Sequence, residues 1–192
     1  MTSKKALDAL NRLLSGNAEY LKANVAEGDI SPDLRGRLCD EGQKPYAIIV
    51  ACSDSRVVPE DIFMCGLGEL FVVRVAGNVI GETQAASVLY AIKHLGAPLV
   101  MVLGHTHCGA VSAVLEGHEE DALLPLCDPI RNAIGSVRDP DRASAINAMA
   151  AAEELRRITD IASMESRGEL LLLPALYHID SGRVEVLEGE CA

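Results

Sequence analysis

The sequence has 192 residues, of which 49% are hydrophobic and only 3% aromatic, which is enough for one domain, residues 1–192, with an aliphatic core. Seventeen basic residues against 28 acidic residues give a formal net charge of -11, which argues against nucleic acid and anionic membranes as partners. The longest apolar run, 170–177, is too short to span a bilayer. Since the N-terminal segment also lacks the pattern of a signal peptide, we expect a cytoplasmic protein.

The order of apolar and amphipathic segments predicts an α/β fold. An N-terminal helical arm over about residues 1–40 begins with an amphipathic helix, which has no obvious place on a small sheet. Runs that are apolar on both faces then alternate with amphipathic stretches, which is typical of a mostly parallel sheet flanked by helices. The strands are predicted in the spatial order 2-1-3-4 plus a C-terminal edge strand, over residues 46–51, 70–75, 99–103, 170–179 and 184–187. Helices are predicted over 82–95 and 141–164, whereas the pattern of 116–139 predicts no element.

Two short motifs, CSDSR at 52–56 and HTHCG at 105–109, each follow a predicted strand. In an open parallel sheet the carboxyl ends of the strands form the ligand-binding edge, so the two motifs converge there if their strands are neighbours. Together they offer two cysteines, Cys52 and Cys108, and one imidazole, His105. This N/S ligand set suits Zn²⁺, and three protein ligands leave a fourth position for water or substrate.

A carboxylate and a guanidinium, Asp54 and Arg56, accompany these ligands. Bound Zn²⁺ lowers the pKa of a water far enough to make hydroxide available at neutral pH, and a neighbouring carboxylate can orient that hydroxide toward an electrophile. From the residues alone, a closed structural zinc site with Asp54 as a permanent fourth ligand stays open as an alternative. The remaining cysteines have no partner motif and are predicted to be buried small side chains or incidental surface thiols, with Cys191 exposed: Cys39, Cys65, Cys127 and Cys191.

The chain resembles the β-class carbonic anhydrases over nearly its whole length. The resemblance is carried by the segments ALDAL at 6–10, ACSDSR at 51–56, GELFVVR at 68–74, GHTHCG at 104–109, ALY at 175–177 and SGRV at 181–184. It implies that Cys52, His105 and Cys108 are the zinc ligands and that Asp54 and Arg56 are the catalytic pair. The family also has a closed state, in which the aspartate leaves the arginine and ligates zinc itself.

The reaction that the resemblance implies is the reversible hydration of CO₂ to bicarbonate and a proton, by zinc-bound hydroxide with help from the Asp–Arg pair. It makes Gln43 a hydrogen-bond donor to the substrate and the backbone N–H of Gly109 a contact for the anion. Phe71 and Tyr90 would line the pocket, in the pattern of the plant-like subgroup. The resemblance further implies a symmetric homodimer, or a tetramer built from such dimers, with the N-terminal helix packed on a partner subunit.

Two other functions stay open at this point. The same zinc ligands are similar to those of carbon disulfide hydrolases, and turnover of CS₂ against CO₂ separates the two enzymes. The second is a catalytically silent zinc-binding scaffold of the same fold, which would bind zinc fully and show no activity at any pH. His107, between two ligands, is predicted to point away from the metal.

Overall fold

The computed structural model describes residues 2–26, 28–117 and 120–188, so the predicted exposure of Cys191 lies outside the described residues. Within these ranges no helix is long and apolar enough to cross a membrane. The helices and strands are, in chain order, α1 (Lys4–Tyr20), α2 (Pro32–Glu41), β1 (Ala47–Ala51), α3 (Pro59–Ile62), β2 (Leu70–Arg74), α4 (Glu82–Tyr90), β3 (Leu99–His105), α5 (Gly109–Glu116), α6 (Leu124–Ile134), α7 (Pro140–Arg156), α8 (Thr159–Ser166), β4 (Leu171–Tyr177) and β5 (Val184–Val186).

The strands of the described residues form one five-stranded sheet in the order β2-β1-β3-β4-β5, which confirms the predicted order. β1 pairs in parallel with β2 and β3, β3 pairs in parallel with β4, and β5 is antiparallel to β4. In this register Ala51 of β1 lies opposite both Arg74 of β2 and Leu103 of β3. The carboxyl ends of three adjacent strands therefore meet at one edge of the sheet.

Both faces of the sheet are covered, and successive side chains of each strand enter different cores. Ile49 of β1 belongs to the core that α1 covers, together with Ala9 and Leu13. Its neighbour Ile48 belongs to the opposite core, beneath α4 and α7. Because neither face meets water, every residue of β1 and β3 is buried, and the sequence of both strands is apolar almost throughout.

The first helix, α1, packs on its own sheet, which corrects the expectation that it has no place there. Its buried face consists of Ala6, Ala9, Leu13 and Asn17, of which the two alanines allow close approach to the sheet. A different, more hydrophobic face of α1 and its C-cap carries leucines that stay exposed: Leu7, Leu14 and Leu21. The helix therefore has one apolar face inside the chain and a second one outside it.

Asn17 joins α1 to two other parts of the chain. Its Nδ2 donates to the carbonyl oxygen of Ile62 at 3.3 Å and to that of Gly182 at 2.9 Å. Its Oδ1 accepts from the N–H of Val184 at 2.9 Å. Since Asn17 is only 5% exposed, these bonds satisfy an amide that water barely reaches.

On the face of the sheet opposite α1, two observed helices differ from the predicted ones. The helix predicted over 82–95 is α4 followed by a π-helical turn, Ala91–Leu95, which ends at Gly96 in the left-handed conformation (φ 69). The helix predicted over 141–164 is two helices, α7 and α8, because Ile158 is extended (φ -75, ψ 114) and packs its side chain against the core beneath α7. The segment for which no element was predicted contains α6.

Candidate metal centre

Three potential metal ligands converge at the carboxyl edge of the sheet. Cys52 directly follows β1, His105 is the last residue of β3, and Cys108 directly precedes α5. Since Ala51 and Leu103 lie side by side, the neighbouring parallel strands deliver the thiol and the imidazole to the same place. The ligand atoms of the three residues all lie within 4.8 Å of one another, and all three residues are buried. The structure thus brings together the residues that the two motifs singled out.

The imidazole of His105 is oriented as a metal ligand. Its Nδ1 lies 2.8 Å from the carbonyl oxygen of Thr106, so Nδ1 carries the proton and donates. Its Nε2 then has a free lone pair, and this buried atom has no hydrogen-bond partner among the residues that the structure describes. A buried nitrogen without a partner, facing two sulfur atoms, fits a cation that accepts N and S ligands, and Zn²⁺ is such a cation.

The loop between His105 and Cys108 is fixed by β4 and the residues that follow it. The N–H of Thr106 donates to the carbonyl oxygen of Tyr177 at 3.0 Å, and its Oγ1 accepts from the N–H of Ile179 at 3.0 Å. His107 then adopts a left-handed conformation (φ 55) and is exposed, whereas Cys108 turns back into the interior. The ligand spacing of the motif therefore depends on one left-handed residue.

The two thiols at the centre influence each other's ionisation. The hydrogen bond with Cys108 lowers the pKa of Cys52, and hydrogen bonds from the backbone act in the same direction. The same contact with Cys52, together with burial, raises the pKa of Cys108. Without a cation the pair favours one negative charge, carried by Cys52, since a second thiolate would lie beside it in a buried site.

Asp54 and Arg56 form a bidentate ion pair beside the thiols. Nε of Arg56 donates to Oδ1 of Asp54 at 2.9 Å, and Nη2 donates to Oδ2 at 2.7 Å. The backbone N–H of Arg56 also donates to Oδ1 at 2.9 Å. These bonds, with the guanidinium contacts first among the causes, hold the pKa of Asp54 well below its usual range. Nη2 further donates to the carbonyl oxygen of His107 at 3.1 Å, which ties the pair to the second motif.

A second arginine, Arg74 at the end of β2, donates hydrogen bonds to the backbone of the first motif. Its Nε donates to the carbonyl oxygen of Cys52 at 3.2 Å, and its Nη2 donates to that of Asp54 at 2.7 Å. Arg74 therefore positions the loop that carries both a potential ligand and the carboxylate. No local sequence pattern indicates this role, since only the strand register brings Arg74 level with Ala51.

The predicted substrate-binding residues are not gathered around this cluster within one chain. Gln43 is exposed, in the segment after α2. Phe71 and Tyr90 contact each other, with ring centroids 6.3 Å apart, and Tyr90 is half exposed. Phe71 is aligned with Ile48, four positions before Cys52 along the sheet, a separation of about 13 Å. These two aromatic residues, one in the edge strand β2 and one at the end of α4, instead lie together at that edge of the sheet.

Gly109 is the one predicted substrate contact that adjoins the cluster directly. It follows Cys108 and begins α5, so its N–H belongs to the first helical turn, whose N–H groups have no partner within the helix. A Cβ built on Gly109 would meet no described atom within 4 Å, so the space above this backbone is open toward the described part of the chain. The partial positive charge of a helix N-terminus favours an anion at such a place.

Comparisons with known proteins agree with this arrangement. The family model described as Carbonic anhydrase matches residues 47–184. A carbonic anhydrase of Mycolicibacterium smegmatis is 33% identical, over 97% of this chain and 95% of its own length. The crystal structure of the β-carbonic anhydrase CafA of Aspergillus fumigatus is similar with a TM-score of 0.74 and 28% identity, over 84% of this chain and 82% of that one.

A more distant structure, an apo form of carbon disulfide hydrolase, has a TM-score of 0.56 and 18% identity over 80% of this chain and 87% of its own. At that identity the likeness concerns the fold alone. The segment 47–184 that matches the family model, in contrast, contains β1 to β4 and every residue of the Cys52, His105 and Cys108 cluster. The family model, the near full-length relative and the solved structure all agree, and the chain belongs to the β-class of the carbonic anhydrase family of enzymes.

Proposed function

We propose that this chain catalyses the reversible hydration of CO₂ to bicarbonate and a proton, with Zn²⁺ as cofactor held by Cys52, His105 and Cys108. The observation that carries the proposal is the buried Nε2 of His105, which lies close to two thiols and has no hydrogen-bond partner within the described part of the chain. A Zn²⁺ ion at these ligands supplies the Lewis acidity that makes hydroxide available near neutral pH. Three protein ligands leave one coordination position for the reacting water.

Asp54 is proposed to orient the reacting water. Because both of its carboxylate oxygens accept hydrogen bonds from Arg56, the group stays ionised at neutral pH and its direction is fixed. An ionised carboxylate accepts a hydrogen bond from water and so aims an oxygen lone pair at the carbon of CO₂, and the released proton passes to buffer. The pairing with Arg56 also favours an enzyme over a closed structural site, since Asp54 is outside the ligand cluster formed by the described residues.

The bicarbonate product is proposed to contact the N–H of Gly109 at the open start of α5 and the side chain of Gln43. The anion gains from backbone donors and from the helix dipole at Gly109, which are in place before the reaction begins. Phe71 and Tyr90 are proposed to line the pocket, which is the plant-like pattern. The two rings contact each other and Tyr90 is half exposed, which supports an open wall of a pocket whose counterpart, the facing wall, comes from elsewhere.

A homodimer is proposed to supply that counterpart. The exposed leucine stripe of α1 supports this, since Leu7, Leu14 and Leu21 lie one helical heptad apart and would be covered by a partner. The separation of Phe71 from its own cluster supports it as well, because a two-fold partner can bring pocket residues to the opposite metal centre. A tetramer would consist of two such dimers.

The organisation of the chain completes the proposal. We propose a single domain over residues 1–192, with the arm of about residues 1–40 as part of it. The packing of Ala9 and Leu13 on the sheet supports this, since the arm shares the core of the strands. The cytoplasmic location stays a prediction.

Stopped-flow measurement of CO₂ hydration on zinc-loaded protein tests the proposal. We expect activity in the wild type, and loss of both bound zinc and activity in Cys108→Ser. The matched control is Cys65→Ser, because Cys65 is equally buried but contacts Tyr46 at 3.0 Å instead of the cluster, so zinc and activity should persist. Turnover of CS₂ without turnover of CO₂ would replace the proposed substrate. Full zinc binding with neither activity would leave only a scaffold.

A further inference from the structure

A tight turn behind Cys52 presents a backbone N–H to its sulfur. The turn is the 3-10 segment Ala76–Asn78, which follows β2. The N–H of Gly77 donates to Sγ of Cys52 at 3.3 Å. Gly77 (φ 66) and Asn78 (φ 45) are both in the left-handed region, which glycine and asparagine adopt more readily than other residues but usually as single residues and not in succession. A turn of this kind persists only where its neighbours hold it.

Asn147 of α7 holds the turn from the other side of the peptide. Its Nδ2 donates to the carbonyl oxygen of Gly77 at 2.7 Å, and Asn147 is only 3% exposed. The backbone of Gly77 is also closely packed, since a Cβ there would lie 2.8 Å from Cδ1 of Ile130 and 3.2 Å from Cβ of Ala110. Both hydrogen-bonding groups of Gly77 are therefore engaged, one by the sulfur and one by α7.

Packing alone does not explain why an amide stands at this position. A cavity of about 380 Å³ opens beside Asn147, between α6, α7 and the residues after the turn, and its walls include Val79, Ile80 and Ala151. An apolar side chain could fill part of this space and pack on α6 without touching the turn. The hydrogen bond from Nδ2 is what joins α7 to Gly77.

We propose that Asn147 is a positioning residue of the metal centre, which fixes Gly77 so that its N–H donates to the sulfur of Cys52. The inference rests on the proposed role of Cys52 as a zinc ligand. Two thiolates place much negative charge on a metal and so reduce its Lewis acidity, and an N–H···S hydrogen bond withdraws part of that charge. Partners of metal ligands typically change metal affinity by about 10- to 100-fold when they are removed.

The test compares Asn147→Leu with Asn17→Leu. Leucine has the same branching and number of side-chain heavy atoms as asparagine but a larger volume, for which the adjoining cavity gives room at position 147, and it cannot donate. Asn17 is the matched control, because it is a buried amide that also donates to backbone carbonyls, those of Ile62 and Gly182, but contacts no part of the metal cluster. Zinc affinity is measured by competition with a chelator. Co²⁺-substituted protein reports on the sulfur through the energy of its thiolate-to-metal charge-transfer band.

We expect Asn147→Leu to weaken zinc binding by about 10- to 100-fold and to shift the charge-transfer band, whereas Asn17→Leu lowers only the unfolding midpoint. If Asn147→Leu does not fold, the smaller Asn147→Ser, whose hydroxyl is too short to reach Gly77, should show the same two changes. Zinc affinity and band energy at wild-type values in a folded position-147 variant would overturn the inference. A wild type that binds no zinc would instead overturn the proposed function itself.

Discussion

At Gly16, α1 packs directly on the backbone of Phe63. Replacing this glycine by alanine is expected to lower stability, whereas the same change at an exposed helical glycine is expected to raise it. A Cβ built on Gly16 would lie 2.0 Å from the carbonyl oxygen of Phe63 and 2.7 Å from its carbonyl carbon. Because the obstacle is backbone, no side chain can rotate away. Gly16→Ala must therefore push α1 away from Phe63 until the contact exceeds 3.0 Å, a displacement of about 1 Å.

The size of the effect follows from what the displacement disturbs. Overpacking of this kind costs about 1 to 3 kcal/mol. The neighbouring Asn17 would lose part of its bonding to Ile62, Gly182 and Val184, at about 1 kcal/mol for each hydrogen bond. Alanine in a helix gains about 1 kcal/mol over glycine, which offsets only part of the loss. We expect Gly16→Ala to lower the free energy of unfolding by about 1 to 4 kcal/mol.

The matched control is Gly36→Ala in α2. Gly36 is exposed, and a Cβ there would meet nothing within 4 Å among the described residues. Only helix propensity should therefore change, and stability should rise by up to about 1 kcal/mol. Urea unfolding followed by far-UV circular dichroism measures both variants, at one fixed protein concentration because association would shift the midpoint. Gly16→Ala with a midpoint at or above that of the wild type would refute the reasoning.

Three other variants test the site, the interface and a surface ion pair. Asp54→Asn should reduce the rate of CO₂ hydration by about 100- to 10,000-fold in stopped-flow assays with the zinc content unchanged, and a wild-type rate would contradict the role of Asp54. Leu14→Glu should shift the dimer to monomer in analytical ultracentrifugation, because it places a charge in the leucine stripe; an intact dimer would remove that stripe from the interface. Hydrogen bonds with His178, the larger cause, and with Arg183 keep the pKa of Glu185 below the ordinary glutamate value of 4.5. The ionised carboxylate of Glu185 therefore stabilises the fold above that pH, and this stabilisation is lost as the pH falls through the lowered pKa. Glu185→Gln should thus be less stable than wild type at neutral pH, by under about 1 kcal/mol, and equally stable in acid, whereas a difference that persists in acid would indicate another cause.

The parts of the fold that the sequence predicts well are those in which one physical requirement dominates. β1 and β3 are covered on both faces, so their residues are apolar at nearly every position and their bounds are predicted to within two residues. The convergence of Cys52 and His105 followed from the same strands, because ligand sites lie at the carboxyl ends of parallel strands. Both predictions needed only the local sequence pattern of each strand and of the residues just after it.

The sequence predicts poorly what depends on contacts between distant segments. The break between α7 and α8 has no glycine or proline to mark it, and it depends on Ile158 packing into the core. The alanine face of α1 is less hydrophobic than its leucine stripe, so hydrophobicity alone does not mark it as the face that packs on the sheet. Asn147 lies within a helix about 70 residues from Gly77, and no local pattern indicates their hydrogen bond.

The left-handed conformation of His107 limits how this position can change over evolutionary time. Its imidazole is exposed, while its carbonyl oxygen accepts a hydrogen bond from Arg56 at 3.1 Å. Glycine, asparagine and aspartate adopt a φ near 55 at low cost, whereas a β-branched residue does not. Substitutions at position 107 are therefore restricted by the left-handed backbone conformation more than by the chemistry of the exposed side chain.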